Sequence, residues 1–212
     1  MFEEESLAPS LDERCEVPIA VEPVSIMAVS VSGVSLAPVV AADEPLLYQT
    51  FASTRANEMA LTGWNEERKE SFLRMQYEAQ RSSYLMQIPD AEYSAICWDG
   101  EAVGRLIVER TEKEIHVVDI ALLPEFRAKG IGSTLMEAIL TEARLAAKAV
   151  RLHVERFNPA LHWYERLGFQ VVNSGPIYLE MVWRPAPVGS GTGSRRGSQP
   201  ESEVGNVLCR SI

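Results

Sequence analysis

Between residues 31 and 183 the hydrophobic and polar positions change period repeatedly, and each change marks an element. Residues 31–36 are β-branched and alternate with serine, which predicts an opening strand. Asp43-Glu44-Pro45 supplies an N-cap candidate, a first-turn acid and an early-turn proline for a helix over about 45–61, stopping at Gly63. Asn65-Glu66-Glu67 starts a second helix to about residue 86, with Phe72, Met75 and Ala79 at helical spacing. From residue 93 the texture becomes that of strands. Residues 93–98 and 102–109 flank Asp99-Gly100, a two-residue hairpin signal, and 115–122 form a third run bounded by Pro124. Residues 130–148 are periodic through Leu135, Ile139, Ala143 and Ala146. A strand over 150–155, a short helix over 159–167 closed by Gly168, and a hairpin of 169–172 with 177–183 complete the pattern. The order β-α-α-β-β-β-α-β-α-β-β predicts an α+β protein with a mixed sheet and helices on its faces.

Composition adds boundaries. The 212 residues are 46% hydrophobic with a mean hydropathy of −0.06, enough to bury one core and carry tails. The net charge of −10 excludes a nucleic-acid binder, which needs a basic footprint to displace counterions. That charge is uneven: residues 1–29 hold seven acids and one base, whereas residues 30–184 hold 21 acids and 16 bases. The expected organisation is an acidic disordered tail (1–29), one domain (30–184), and a Gly/Ser/Pro-rich disordered tail (185–212). The uncharged stretch 23–42 is broken by Pro23, Gly33, Pro38 and four serines and is not read as a membrane span. The first 29 residues lack a basic region and a compact apolar core, so no secretory signal is read there. Cys15, Cys97 and Cys209 have neither metal nor redox spacing, which points to a reduced, cytoplasmic setting and to no metal.

Two stretches carry chemistry. In the first, a strand ends at Leu122 and Arg127-x-x-Gly130-x-Gly132 opens a long helix. The glycines admit a bulky anion close to the backbone, and free N–H groups and the macrodipole face it. Arg127 and Lys129 are placed to add charge, and the pattern suits a pyrophosphate. The same glycines would also serve a plain strand-to-helix turn. The second stretch, Asn158-Pro159-Ala160-Leu161-His162-Trp163-Tyr164-Glu165-Arg166-Leu167-Gly168-Phe169, forms one short helix after a strand.

Together the two stretches resemble the GNAT superfamily of acyl-coenzyme A-dependent N-acyltransferases, over about residues 31–183. The resemblance implies the acyl-CoA N-acyltransferase fold, a three-layer arrangement of a mostly antiparallel sheet with helices on both faces. It implies that backbone at Arg127, Ala128, Lys129, Gly130, Ile131, Gly132 and Ser133 holds the pyrophosphate of acetyl-CoA, the co-substrate. It further implies that backbone at Leu122 meets the pantetheine arm, which inserts like an added strand. Asn158 matches the family's asparagine near the cofactor, and Tyr164 its tyrosine beside the departing sulfur. Two departures stand out: the spacing from Asn158 to Tyr164 is one residue shorter than in much of the family, and Ala37 stands close to where many members have Arg.

An amine must shed a proton before attacking a thioester, so a base is required. His116, Asp119 and Glu155 lie on or at the ends of the two strands expected to flank the thioester. Strict period-two geometry puts His116 and Asp119 on opposite faces. His153 and His162 are weaker candidates, as suited to surface or packing roles. The N–H of Leu122 is placed for the oxyanion, and Tyr164, with an ordinary pKa of roughly 10 against roughly 8.5 for the thiol, donates a proton through a hydrogen bond. Ser133 is expected to bind phosphate rather than serve as a nucleophile, and no cysteine lies in either motif, so direct attack in a ternary complex is expected. The helix around Phe72, Met75 and Tyr77 is expected to pack the core and wall the acceptor. The expected acceptor is a small-molecule amine. The alternatives are a protein N-terminus or lysine, or a CoA-binding interaction module without turnover; neither nucleic acid nor membrane is expected as a partner.

Overall fold

Asp99 and Gly100 adopt φ of 50° and 85°, the two left-handed residues that a tight hairpin demands. They join β2 (Glu92–Trp98) to β3 (Glu101–Arg110) in the computed structural model, which describes residues 33–186. The two tails, Cys15, Cys209 and the start of the predicted opening strand lie outside the described residues. Before the hairpin come β1 (Val34–Pro38), α1 (Glu44–Thr54), α2 (Ala56–Ala60) and α3 (Glu66–Gln87). After it come β4 (Glu114–Leu122), α4 (Ile131–Ala146), β5 (Ala149–Glu155), α5 (Leu161–Arg166), β6 (Gln170–Ser174) and β7 (Tyr178–Trp183). The seven strands form one sheet in the order β1-β2-β3-β4-β5-β7-β6, and only β4 and β5 run parallel.

The largest core lies where α4 and α5 cover one face of the sheet, around Val117, Ile120, Leu135, Met136, Ile139 and Leu152. α1 and α3 cover the other face. Here the structure corrects three expectations. The single helix over 45–61 is interrupted at Arg55 (φ −104°, ψ 0°), giving α1 and α2. Asp43 does not cap α1: its buried carboxylate accepts the Val40 N–H at 2.8 Å and closes the preceding turn. On α3 the buried stripe is Leu73, Tyr77 and Tyr84, while Met75 is exposed and Phe72 packs edge-on against Trp64. The stripe one residue further round brings larger aromatic area into contact with Phe51 and Ile107. Asn65 does cap α3, its Oδ1 accepting the Arg68 N–H at 3.0 Å.

Both sheet edges are guarded. β1 ends in Pro38. β6 exposes all five of its residues, and its register against β7 slips between Val171 and Asn173.

The approach of β3 to β4 is unusually close at Gly104, which sits opposite Leu122. A Cβ there would lie 2.3 Å from the Ala121 carbonyl oxygen and 2.8 Å from a Leu122 methyl. Backbone would have to move to admit it. Gly104→Ala is therefore expected to lower the unfolding free energy by about 1–3 kcal/mol, measurable by denaturant titration.

Candidate active site

The β4–β5 ladder contains four pairs, from Glu114 opposite Ala149 to Val117 opposite Leu152, and then stops. Beyond it β4 stays with β3 as far as Leu122 and β5 stays with β7 as far as Glu155. The facing edges are left without a ladder, and a wedge-shaped gap opens. Its cause is local. Across β3, Val117 pairs with Val108 and Asp119 with Ile107, so Val118 is an extra residue, a β-bulge at the point where the strands part.

The bulge also changes which side chains share a face. Glu109 and Ile107 lie two apart on β3 and sit opposite His116 and Asp119. His116 and Asp119 therefore lie on the same face, contrary to the strict alternation expected from sequence.

At the end of the gap, Leu123 donates its N–H to Val103 on β3 at 2.9 Å, so the preceding amide, that of Leu122, points the other way. Ala128 (φ 58°) and Gly130 (φ 85°) are both left-handed, bending residues 127–131 into a concave turn that opens α4. No side chain caps α4, so its first amides are free of capping competition. The basic side chains of the motif make contacts of their own. Arg127 turns inward, donating to the Leu122 carbonyl at 2.9 Å and to Ser53 Oγ at 2.7 Å. Lys129 Nζ sits 4.7 Å from the Trp98 ring centre and 5.0 Å from that of Phe126. Backbone amides and the macrodipole are thus the groups directed at the turn itself. Ser133 Oγ lies 3.2 Å from Trp163 Nε1, which donates to it and leaves its own proton available.

The second motif packs against the first. Asn158 is buried and its Oδ1 accepts the Ala160 N–H at 2.8 Å, ordering the turn into α5. Tyr164 is fully buried, its ring 4.8 Å from Trp163 and 5.7 Å from Phe169. His162 is exposed and pairs with Glu165 at 2.9 Å.

The three base candidates fall in unlike settings. Asp119 is fully buried and paired with Arg105 at 2.5 Å; burial pushes its carboxyl up to about 6 while Arg105 pulls it down. His116 lies where the β4–β5 ladder is still intact, opposite Arg151, with its ring centre 5.6 Å from that of His153. Burial pushes both imidazoles down to about 4, against the pull of Glu114 on each. Glu155 stands at the open end of β5, only partly buried, and burial raises its carboxyl.

Glu155 faces residues that sequence reasoning missed. Tyr178 is its cross-strand partner on β7, and Arg55 and Glu58 from the α1–α2 corner act electrostatically on both. Exposed Phe157 and Ile177 flank this corner, and the Arg156 N–H donates to the Ile177 carbonyl at 2.9 Å, joining their loops. Nothing in the local sequence around Arg55 interrupts a helix, so no signal in the sequence pointed to this corner. Cys97 is fully buried and packs with Ala37 and Ala102. Among the described residues no group of three or more His, Cys, Asp or Glu is placed to hold a metal, and no helix is long and apolar enough to cross a membrane.

The family model for acetyltransferases of the GNAT family matches residues 55–169, more than half of the chain, and the chain belongs to that family. It is 33% identical over 90 residues to an N-alpha-acetyltransferase of Sulfurisphaera tokodaii, covering 35% of this chain and 53% of that protein. It is 43% identical over 60 residues to an N-alpha-acetyltransferase of Saccharolobus solfataricus, covering 27% and 36%. The chain thus spans about half and about a third of these two relatives. The fold is similar to that of the PaiA N-acetyltransferase of Thermoplasma acidophilum in complex with coenzyme A, with a TM-score of 0.54 at 20% identity over 71% of this chain and 98% of that one.

The paired imidazoles set a pH dependence. Below the ordinary value of 6.5 the unfolded chain takes up protons that the folded state refuses until about pH 4, so stability falls on acidification across that window. Asp119 opposes this with the opposite sign, because its folded value is raised to about 6. His116→Gln is expected to shrink the loss of Tm between pH 6.5 and 4.5 by more than half, since it removes one of two similarly shifted imidazoles while Asp119 goes on opposing the other.

Proposed function

We propose that the chain transfers an acetyl group from acetyl-coenzyme A to the α-amine of a peptide or protein N-terminus. The observation that carries this reading is the wedge between β4 and β5, with an uncapped amide turn at its head and an acidic, apolar-rimmed corner at its open end. The wedge suits an extended pantetheine arm, which pairs with the free edge of β4. The backbone of residues 127–133 suits the pyrophosphate, with the Ser133 hydroxyl as a further donor and Asn158 ordering the neighbouring wall. Bound there, the co-substrate supplies an activated thioester.

The acceptor end suits a peptide for two reasons. Glu155 places a carboxylate where an ammonium would enter, the Glu58 carboxylate beside it being paired with Arg55 at 2.7 Å, and exposed Phe157 and Ile177 offer apolar surface to the first side chains. A peptide α-amine also has an ordinary pKa near 8, so a weak base suffices to free its lone pair. The names carried by the two curated relatives point the same way.

In this reading the entering ammonium gives its first proton to water, and Glu155, directly or through one water, accepts the second as the attacking nitrogen becomes an amide. The nitrogen attacks the thioester carbonyl, the C–N bond forms, and the Leu122 N–H holds the oxyanion. The C–S bond then breaks and the thiolate takes a proton by way of Tyr164. Asp119 and His116 have supporting roles, the one neutralising Arg105 and the other packing against His153.

Two experiments test the reading. Gly130→Asp puts a negative charge in the turn and is expected to lower acetyl-coenzyme A affinity at least tenfold by calorimetry, whereas Gly130→Asn, which also tolerates the left-handed conformation, loses far less. Unchanged affinity in Gly130→Asp would remove the donor site from this turn. In the second, turnover is followed by mass spectrometry on peptides with free or blocked N-termini and on a panel of polyamines and small amines. Free-N-terminal peptides are expected to be preferred. Glu155→Gln is expected to reduce kcat/KM by 10²–10⁴-fold and to remove the limb that rises with pH through the raised Glu155 value, and Tyr164→Phe to reduce kcat with donor affinity retained. Preference for the small amines would replace the peptide acceptor, and binding without any turnover would make the chain a coenzyme A-binding module.

A further inference from the structure

A second opening lies on the α1 and α3 side of the sheet, outside the wedge. It is a cavity of about 350 Å³ bounded by the turn before α1, by α1 and α3, and by β2 and β3. No residue of β4, β5 or the amide turn lines it. Its volume falls in the range of small-molecule pockets.

The lining divides into two chemistries. The buried walls are apolar and aromatic, formed by Ile107 with Tyr77 and Tyr84, and half-buried Leu47 and Tyr93 extend them. The polar groups at that depth are engaged with one another: Gln80 donates to the Tyr84 hydroxyl at 3.0 Å and accepts from Arg105 at 3.2 Å, and Arg105 pairs with Asp119. The solvent-facing mouth carries opposite charges instead. Glu44 from the first turn of α1 and Arg81 from α3 both line the cavity, and their side chains are 50% and 59% exposed. Glu44 Oε2 and Arg81 Nε stand 4.0 Å apart, beyond hydrogen-bond length, so each keeps capacity for another partner. Both charges act on cavity side chains. Burial and then the Glu44 carboxylate push the Tyr77 phenol up to about 12, while Arg105 and Arg81 pull it back, and Arg81 acts on Tyr93 as well.

A ligand with a single charge would leave the opposite head at this mouth without a partner, and a neutral ligand would leave both. We propose that the cavity binds a free α-amino acid with an aromatic side chain, its ammonium on Glu44, its carboxylate on Arg81 and its ring among the tyrosines. The two charged groups of an α-amino acid share one carbon, which suits a carboxylate and a guanidinium 4.0 Å apart. An aromatic ring suits the tyrosine walls, where edge and face contacts are on offer. An amine held here lies outside the wedge, so the amino acid is a ligand and not an acceptor. α1 links the two places: its 11 residues run about 16 Å from Glu44 to the corner that faces Glu155.

The test is calorimetry on the full chain with L-phenylalanine, against phenethylamine, hydrocinnamate and glycine, each with and without saturating coenzyme A. L-Phenylalanine is expected to bind one-to-one, unaffected by coenzyme A, and each comparison ligand about tenfold more weakly or less. Glu44→Gln is expected to weaken L-phenylalanine about fivefold and to leave hydrocinnamate unchanged. Arg81→Gln is expected to weaken it about fivefold and to leave phenethylamine unchanged. Both side chains are at least half exposed, so neither substitution unfolds the chain. Absence of L-phenylalanine binding, equal affinity for any comparison ligand, displacement by coenzyme A, or affinities unchanged in both variants would each overturn the proposal.

Discussion

One extra residue in β4 organises the site. Parallel strands that keep their ladder leave no backbone edge to offer, and without Val118 the pairing of β4 with β5 would continue toward Leu122. With it, the two strands are handed to different neighbours, β4 to β3 and β5 to β7, and each keeps a full ladder on its outer side. The gap is therefore rigid on both flanks. A split sheet normally exposes unsatisfied amides at a cost, and here that cost is confined to a few residues lining a slot.

The amide turn depends on the same economy of parts. Its basic side chains are committed elsewhere, Arg127 to the Leu122 carbonyl and Ser53, Lys129 to two aromatic rings. Arg127 thus joins α1 to the end of β4, on which the amide turn follows. The groups directed at the turn are oriented backbone dipoles, which cannot swing away and have no side-chain entropy to lose.

Much of this was legible from residues alone. The Asp99-Gly100 hairpin, the Asn65 cap and the stripe through Leu135, Ile139 and Ala143 depend on local chemistry, and local chemistry is written in adjacent positions. The seven strands and the order of the long elements followed from the same signals. What escaped has tertiary causes. No residue type announces the Val118 bulge, so its effect on His116 and Asp119 could not be read from alternation. The break at Arg55 and the choice of Leu73, Tyr77 and Tyr84 over Phe72 and Met75 come from the surfaces α1 and α3 meet, not from their own periodicity. The corner around Glu155 escaped for the same reason: Arg55 and Glu58 are far in sequence from Glu155 and Tyr178, and the four meet only in the folded chain, where β7 lies beside β5.

The open margin at β6 has a consequence for how copies of the chain meet one another. A straight strand bearing Val171 and Val172 and bare on its outer side would invite hydrogen-bonded stacking, the first step toward fibrils. The slip between Val171 and Asn173 breaks the regular spacing of outward carbonyl and amide groups, and Gln170, Asn173 and Ser174 keep that rim hydrated. The molecule can in this way carry valines at an unshielded border and still resist templated self-association in a crowded solution.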